Sequence, residues 1–191
     1  FKEASNLFKK ANNLNIDIHG SNYSDIKFQL ETFYKASQGH KIKLNQKNNY
    51  PIPIFIVGMP RTGKTIIESI LSCNNKLIKC GENQALEKSI KIYLNPKEKL
   101  NTRSLYEIYF QNIERELLTE SFISTTTPMN LIYTDLITKQ IPTAKIIYCY
   151  RNPLDNIKEI YKKNMGEKHT FSCSIVDSAN LLIETYTLME K

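Results

Sequence analysis

Hydrophobic positions recur at helical spacing at the start of the chain. In residues 1–14 the apolar side chains fall three or four positions apart among lysines and asparagines, and residues 24–37 repeat this pattern before Gly39, a helix stop signal. Residues 40–50 are rich in Lys, Asn and Gln and have no period, which is typical of a linker. We therefore expect a helical preface over 1–39 and a linker over 40–50.

The pattern changes at Pro51. Residues 52–57 form a continuous apolar run that ends at Gly58, which is typical of a strand buried on both faces. Further short strands are predicted at 76–80, 122–125 and 145–150. Helices are predicted at 66–72, 84–94, 102–118 and 128–140, and after the capping residues Asn152 and Ser174. Because strands and helices alternate, residues 51–191 predict an α/β domain with a mostly parallel central sheet.

The composition is that of a folded globular protein. Of the 191 residues 41% are hydrophobic and 24% are charged, and no apolar run approaches the roughly 20 residues that cross a membrane. The formal net charge of +7 favours an anionic partner. We expect neither a membrane nor nucleic acid as that partner, because the lysines are dispersed and no aromatic-rich nucleic-acid motif is present.

The cysteines and the chain ends carry two further expectations. No CxxC pair and no His at ligand spacing accompany the cysteines, so we expect no zinc site and no disulfide framework. We interpret them as buried thiols of a reduced, cytoplasmic compartment. Since Phe1 already lies inside a helical pattern, we expect the natural chain to extend further.

One motif points directly to chemistry. Residues 58–65 read Gly-Met-Pro-Arg-Thr-Gly-Lys-Thr, directly after the first predicted strand and before a helix. Glycines in such a turn let successive N–H groups converge on an anion, and the helix N-terminus adds partial positive charge. The motif therefore predicts a phosphate-binding loop. A Walker A interpretation places Lys64 on the terminal phosphates and Thr65 on Mg²⁺. It also needs an acid directly after another apolar strand to hold the metal. No acid stands there, because Thr125 and Arg151 follow the two candidate strands.

Short motifs continue this pattern along the chain. In order, they are residues 53–63 with Thr65 and Glu68, Cys80-Gly81-Glu82, Pro128-Met129-Asn130, and residues 144–147 with Arg151-Asn152-Pro153-Leu154-Asp155. Together they resemble the bacterial sulfotransferases related to protein-tyrosine sulfotransferases, which often carry tetratricopeptide repeats upstream. The resemblance implies a P-loop-type, three-layer α/β domain whose C-terminal part is missing here, with the helical preface joining it to upstream repeats.

The resemblance also implies an activity and a site. A sulfuryl group would pass from 3'-phosphoadenosine-5'-phosphosulfate to a hydroxyl or amine of a protein, glycan or small molecule, without a metal. Glu82 would be the base that takes the acceptor's proton, and Arg61 and Lys64 would stabilise the transition state. Arg151 would pair with the 3'-phosphate. The residues implied to bind the donor are Arg61, Thr62, Gly63, Lys64, Thr65 and Arg151.

Several departures from the family pattern bear on this activity. Lys64 replaces a Thr of the loop, and Thr126 stands where the family has a Lys that assists the leaving group. Glu159 replaces a Ser that joins Arg151 at the 3'-phosphate, and Asn83 replaces a second acid after Glu82. An impaired enzyme or a non-catalytic interaction domain is therefore an alternative, and Lys64 leaves a P-loop nucleotide kinase or ATPase open as well.

Overall fold

The computed structural model describes residues 2–39, 50–95, 103–114 and 120–190. The α-helices are α1 (Lys2–His19), α2 (Tyr23–Gln38), α3 (Lys64–Leu71), α4 (Ala85–Tyr93), α5 (Leu105–Gln111), α6 (Thr134–Gln140), α7 (Pro153–Tyr161) and α8 (Ile175–Met189). The strands are β1 (Ile52–Val57), β2 (Leu77–Lys79), β3 (Phe122–Thr125) and β4 (Lys145–Tyr148), and 3-10 helices span Pro128–Tyr133 and Glu167–Cys173. In this part of the chain no helix is both long and apolar enough to cross a membrane.

The strands form one parallel sheet in the order β2-β3-β1-β4. β1 lies between β3 and β4, with Ile54 opposite Ser124 on one side and opposite Lys145 on the other. Parallel neighbours need a crossover connection, and helices supply it between successive strands. This arrangement confirms the predicted α/β fold with a parallel sheet.

The central position of β1 explains its apolar run. Phe55, Ile56 and Val57 are fully buried, as expected for a strand covered on both faces of a parallel sheet. The ring centroid of Tyr109 in α5 lies 5.5 Å from that of Phe55 and 5.1 Å from that of Phe110. This aromatic packing fixes the strand from which the glycine-containing loop 58–65 departs.

Contacts divide the chain into two compact units. The first, here the helical unit, comprises the described residues of Phe1–Thr32, Met59–Thr62 and Tyr150–Lys191. The second, here the sheet unit, comprises the described residues of Phe33–Gly58 and Gly63–Cys149. The helical unit contains α1, most of α2, α7 and α8, whereas all the strands belong to the sheet unit.

Helix ends differ from the predicted ones where local turns decide them. α1 continues to His19 and stops at Gly20, whose φ of 70° lies in the left-handed region that glycine adopts at low cost. The predicted helix over 128–140 divides into the 3-10 helix Pro128–Tyr133 and α6. There the N–H of Asn130 bonds to the carbonyl of Thr127 only three residues back, at 3.1 Å.

Other expectations fall partly outside the described residues. The helix predicted over 102–118 is found as the shorter α5. Residues 102 and 115–118 of that prediction lie outside the described residues, as does the predicted linker except for Tyr50. The domain boundaries drawn at residues 39 and 51 stay predictions. Cys149 and Cys173 are buried and Cys80 is half-buried, but the expectation of buried thiols is wrong for Cys73, which lies exposed in the turn after the end of α3.

Candidate active site

Left-handed backbone positions shape the loop between β1 and α3. Gly58, Arg61 and Gly63 have φ angles of 142°, 65° and 93°. Gly63 precedes α3, and its carbonyl accepts the N–H groups of Ile66 at 3.0 Å and Ile67 at 3.1 Å. A Cβ at Gly63 would meet no atom within 4 Å, so the positive φ is what favours glycine there. Because the first N–H groups of a helix have no partner inside it, this end of α3 suits an anion.

The middle of the loop, residues 59–62, is held by side chains of the helical unit. Asn156 of α7 is fully buried, and its Nδ2 donates to the carbonyl oxygen of Pro60 at 2.8 Å. Thr62 Oγ1 donates to the carbonyl of Met59 at 2.8 Å, which closes the turn on itself. Arg61 is the one non-glycine residue with a positive φ in the described part of the chain. Such a residue persists only where its surroundings hold it, and the Asn156 bond next to it does so.

Lys64 begins α3 and points back to the start of the loop. Its side chain is almost fully buried, and Nζ donates to the carbonyl of Gly58 at 3.1 Å. Burial lowers the pKa of Lys64 to about 8, while the charge of Glu82 opposes that shift. A cation held at this position is therefore close to losing its proton at neutral pH, and an added anion would favour the charged form.

Glu68, one turn further along α3, is a buried carboxylate with a structural task. Its Oε1 accepts hydrogen bonds from Ser124 Oγ at 2.8 Å and from the N–H of Gly81 at 3.3 Å. The bonds join α3 to β3 and to the turn after β2. Sequence reasoning identified Glu68 only as part of a motif, because its partners lie far away in the chain.

The turn that carries Glu82 is clamped on both sides by threonine hydroxyls. Thr127 Oγ1 donates to the carbonyl of Asn83 at 2.7 Å and accepts the N–H of the same residue at 2.9 Å. Thr125 Oγ1 donates to the carbonyl of Gly81 at 3.0 Å. The side chain of Glu82 itself is exposed. We call these contacts the threonine clamp; sequence reasoning missed it and noted only the missing lysine.

Thr126, at the place of that lysine, faces inward. It is 2% exposed, and its N–H bonds to the carbonyl of Gly81 at 2.9 Å. The three threonines thus fix the neighbouring turn and bring no cation to it.

Arg151 follows β4 and belongs to the helical unit. It is exposed, and its Nη1 lies 3.5 Å from the carbonyl oxygen of Arg61. Asn152 caps α7 by accepting the N–H groups of Leu154 at 3.1 Å and Asp155 at 3.3 Å, as predicted. Glu159 lies near the end of the same helix. The hydrogen bond from Lys162 lowers the pKa of Glu159, and the charges of Arg151 and Arg61 lower it further.

The predicted site residues fall into two groups by unit. Arg61, Thr62 and Arg151 belong to the helical unit, whereas Gly63, Lys64, Thr65 and Glu82 belong to the sheet unit. Thr65 is exposed in the first turn of α3. Their assembly into one site stays a prediction. Among the described residues, no group of three or more His, Cys, Asp or Glu side chains is arranged to hold a metal ion.

The fold is of the P-loop type: a buried parallel strand, β1, leads into a loop with left-handed positions, and α3 begins at the end of that loop. The model of the family described as "Sulfotransferase domain" matches residues 51–171, more than half of the chain. The chain therefore belongs to the sulfotransferase family, which confirms the family resemblance of its motifs. The narrower relation to tyrosine sulfotransferases and to repeat-containing proteins stays a prediction.

A curated relative extends the likeness over most of the chain. It is an "Uncharacterized protein" of Aquifex aeolicus (strain VF5), 24% identical over 188 residues, which cover 88% of this chain and 25% of the relative. The chain thus spans about a quarter of the length of the curated relative it matches.

Proposed function

We propose that this chain carries the donor-binding part of a sulfotransferase that uses 3'-phosphoadenosine-5'-phosphosulfate and a hydroxyl or amine acceptor. The observation that carries the proposal is the loop 58–65 in a member of this family, with left-handed positions at Arg61 and Gly63 and α3 starting at Lys64. A loop of this kind directs N–H groups and positive charge at a 5'-phosphosulfate.

The proposed reaction is an in-line displacement at sulfur. The acceptor oxygen or nitrogen forms a bond to sulfur while the bond from sulfur to the bridging phosphate oxygen breaks. Glu82 takes the acceptor's proton, and the electron pair of the broken bond stays on the phosphate of the product 3',5'-ADP. Because negative charge grows on that phosphate, Arg61 and Lys64 stabilise the transition state more than the ground state. The exposure of Glu82 on a clamped turn supports its role as the base.

Lys64 is the proposed source of the charge that Thr126 does not supply. Its ammonium group is already placed within the loop, on the carbonyl of Gly58. A charge displaced by about 1 Å can cost on the order of a hundredfold in rate, so we expect slow turnover. Arg151 is proposed to bind the 3' end of the donor, and Thr62, Gly63 and Thr65 its 5' end.

A thermal-shift titration with 3',5'-ADP tests donor binding. We expect saturable stabilisation, since a ligand at a hundred times its Kd adds about 2.7 kcal/mol to the free energy of unfolding. Arg61→Gly keeps the left-handed backbone and removes the guanidinium, so it should fold normally but bind about tenfold to a hundredfold more weakly. No stabilisation of the parent chain at millimolar 3',5'-ADP would overturn the proposal.

Transfer of labelled sulfate from the donor separates an enzyme from a non-catalytic interaction domain. Transfer to any hydroxyl or amine acceptor that is lost in Glu82→Gln supports catalysis through this carboxylate. Retained 3',5'-ADP binding without transfer to any acceptor would favour the interaction domain.

Lys64 also supports a second candidate, a P-loop nucleotide kinase or ATPase, because Gly63-Lys64-Thr65 matches the end of a Walker A motif. Under this alternative, ATP would bind more tightly than 3',5'-ADP, and Mg²⁺ would strengthen ATP binding. Isothermal titration with both nucleotides, with and without Mg²⁺, distinguishes the two candidates.

A further inference from the structure

A row of exposed apolar side chains runs along α1. Successive members alternate between three and four residues apart, and they are Ala4, Leu7, Ala11, Leu14 and Ile18. The large ones are well exposed, with Leu7 at 61%, Leu14 at 60% and Ile18 at 64%. We call this row the α1 seam. Its spacing is that of a coiled coil, in which the a and d positions of each heptad pack against a second helix.

The contacts of α1 within its own unit lie on another face. Asn12 is buried, and its Nδ2 donates to the carbonyl of Tyr161 at 2.9 Å. Asn15 and Ile16, three and four positions further along, are half-buried on the same face. Because successive residues are about 100° apart around a helix, the middle of the α1 seam lies roughly 120° from Asn12. The described contacts of α1 therefore leave the α1 seam uncovered.

Charged residues flank the α1 seam at regular positions. When Ala4 and Ile18 are taken as a positions, Glu3, Lys10 and Asp17 become the successive g positions. All three are exposed, and among the described residues neither Lys10 nor Asp17 has an ion-pair partner. Charges at g positions decide which partner and which orientation a coiled coil accepts. They therefore indicate what covers the α1 seam.

We propose that the α1 seam binds the α1 seam of a second copy of this chain, as an antiparallel pair of helices around a two-fold axis. In the proposed register Leu7 packs against Ile18 of the second copy, and Ala11 packs against Leu14 of the second copy. A two-fold interface is self-complementary, so each of these apolar layers forms twice. The pair therefore has four layers, and every layer contains at least one large side chain.

The g charges select this antiparallel register. Lys10 of each copy lies beside Asp17 of the other, which gives two ion pairs. Sliding one helix by a heptad in one direction brings Lys10 beside Lys10 and Glu3 beside Asp17. Sliding it in the other direction brings Asp17 beside Asp17. Since like charges repel, both of these registers are disfavoured.

A parallel pair fits the α1 seam less well. It places Ala4 opposite Ala4 and Ala11 opposite Ala11, so two of its layers contain no large side chain. Its g positions face the e positions of the other helix, which here are Phe8 and Asn15, so no opposite charges meet. Side-chain size and charge thus favour the same antiparallel arrangement.

Sedimentation equilibrium of the 191-residue chain at low ionic strength measures this association. Because a pair of 18-residue helices forms a small interface, we expect a Kd on the order of 100 µM. Lys10→Asp should weaken the dimer about tenfold, since it places acids side by side where the ion pairs were. Adding Asp17→Lys to that variant exchanges the two charges and should restore the parent Kd to within about twofold.

Lys9→Asp is the matched control, because it makes the same charge change at an exposed f position that points away from the second copy. It should leave the Kd of the dimer unchanged. Binding of 3',5'-ADP should be the same in all of these variants, since none of the substituted residues is proposed to contact the nucleotide. Circular dichroism of each variant checks that the helical content is retained.

Three outcomes would contradict self-association through the α1 seam. A parent chain that stays monomeric at about 1 mM overturns the proposal and leaves the seam to a helix of a different protein. Equal weakening by Lys9→Asp and Lys10→Asp overturns it as well, because the dimer would then respond to net charge alone. A charge-exchanged variant that does not regain the parent Kd shows that Lys10 and Asp17 do not face each other, and the antiparallel pair is then wrong.

Discussion

At the scale of single residues, the burial of Lys64 disfavours the positive charge that its proposed role requires. Its side chain is 5% exposed, and burial lowers its pKa from 10.5 to about 8, against the opposing charge of Glu82. Between these two pH values the unfolded chain binds more protons than the folded chain, so stability rises with pH there. Below pH 8 the charged lysine costs the folded state roughly 3 kcal/mol. The buried cation that we propose to bind the donor is thus destabilising when no anion is bound to it.

Replacement of Lys64 by methionine should separate the two effects. We expect Lys64→Met to raise the free energy of unfolding at pH 7 by up to about 3 kcal/mol, reduced by the bond that the carbonyl of Gly58 loses. The gain should shrink as the pH rises from 8 to 10.5, and 3',5'-ADP affinity should fall. Urea unfolding at pH 7 and pH 10 measures the gain.

The matched control for this change is Lys88→Met, at an exposed position of α4 in the same unit. It should show no comparable gain at pH 7 and no shrinkage at pH 10. A Lys64→Met chain that is less stable than the parent at pH 7, or a stability difference that is the same at both pH values, would contradict the burial cost assigned to Lys64.

At the scale of elements, the end of β3 organises the turn after β2. The hydroxyls of Thr125 and Thr127 bond to backbone groups on either side of Glu82, and Thr127 both donates to and accepts from Asn83. A hydroxyl that bonds to both the N–H and the carbonyl of one residue satisfies the two backbone groups that a neighbouring strand would otherwise pair. The turn is therefore fixed although its acidic side chain is exposed.

Removal of one hydroxyl should loosen this turn and leave the donor loop alone. We expect Thr127→Val to lower the free energy of unfolding by about 1–3 kcal/mol, because Asn83 then keeps two partly buried groups without that partner. In the labelled-donor assay kcat should fall while 3',5'-ADP affinity is unchanged. Thr127→Ser, which keeps the hydroxyl, should restore both stability and kcat. Equal behaviour of Val and Ser variants would show that the clamp does not position Glu82.

The loop 58–65 could be predicted from the sequence, whereas the threonine clamp could not. The loop 58–65 was predictable because its strand, glycines and helix start are contiguous, and β1 is apolar along its whole length. The clamp was not, because Asn83 and Thr127 are 44 positions apart and their pairing depends on the β2–β3 register. The buried pairs of Glu68 with Ser124 and of Asn156 with Pro60 were missed for the same reason. Short polar residues carry no periodic signal, so their partners emerge only once the strands and helices are placed.

At the scale of the whole chain, residues before position 33 contribute to the same unit as the C-terminal helices. Asn22 donates its N–H to Thr170 Oγ1 at 2.9 Å and its Nδ2 to the carbonyl of Lys168 at 2.7 Å. Its Oδ1 accepts the N–H of Phe171 at 3.0 Å. Ile26 and Leu30 of α2 are buried, and Lys27 pairs with Glu184 of α8 at 2.7 Å. The connection between α1 and α2 therefore bonds to a segment about 150 residues later, and α2 packs within the same unit.

Substitution of Asn22 tests whether the N-terminal helices are integral to that unit. Asn22→Ala removes the side-chain bonds to Lys168 and Phe171, so the free energy of unfolding should fall by about 2 kcal/mol. Amide hydrogen exchange in α8 should speed up as well, because the 3-10 helix that leads into α8 loses its anchor. Asn13→Ala, the same change at an exposed position of α1, should cost nothing, since alanine is the better helix former. If exchange in α8 is the same in Asn22→Ala as in Asn13→Ala, the first two helices fold apart from the C-terminal ones, and the contacts of Asn22 do not couple them.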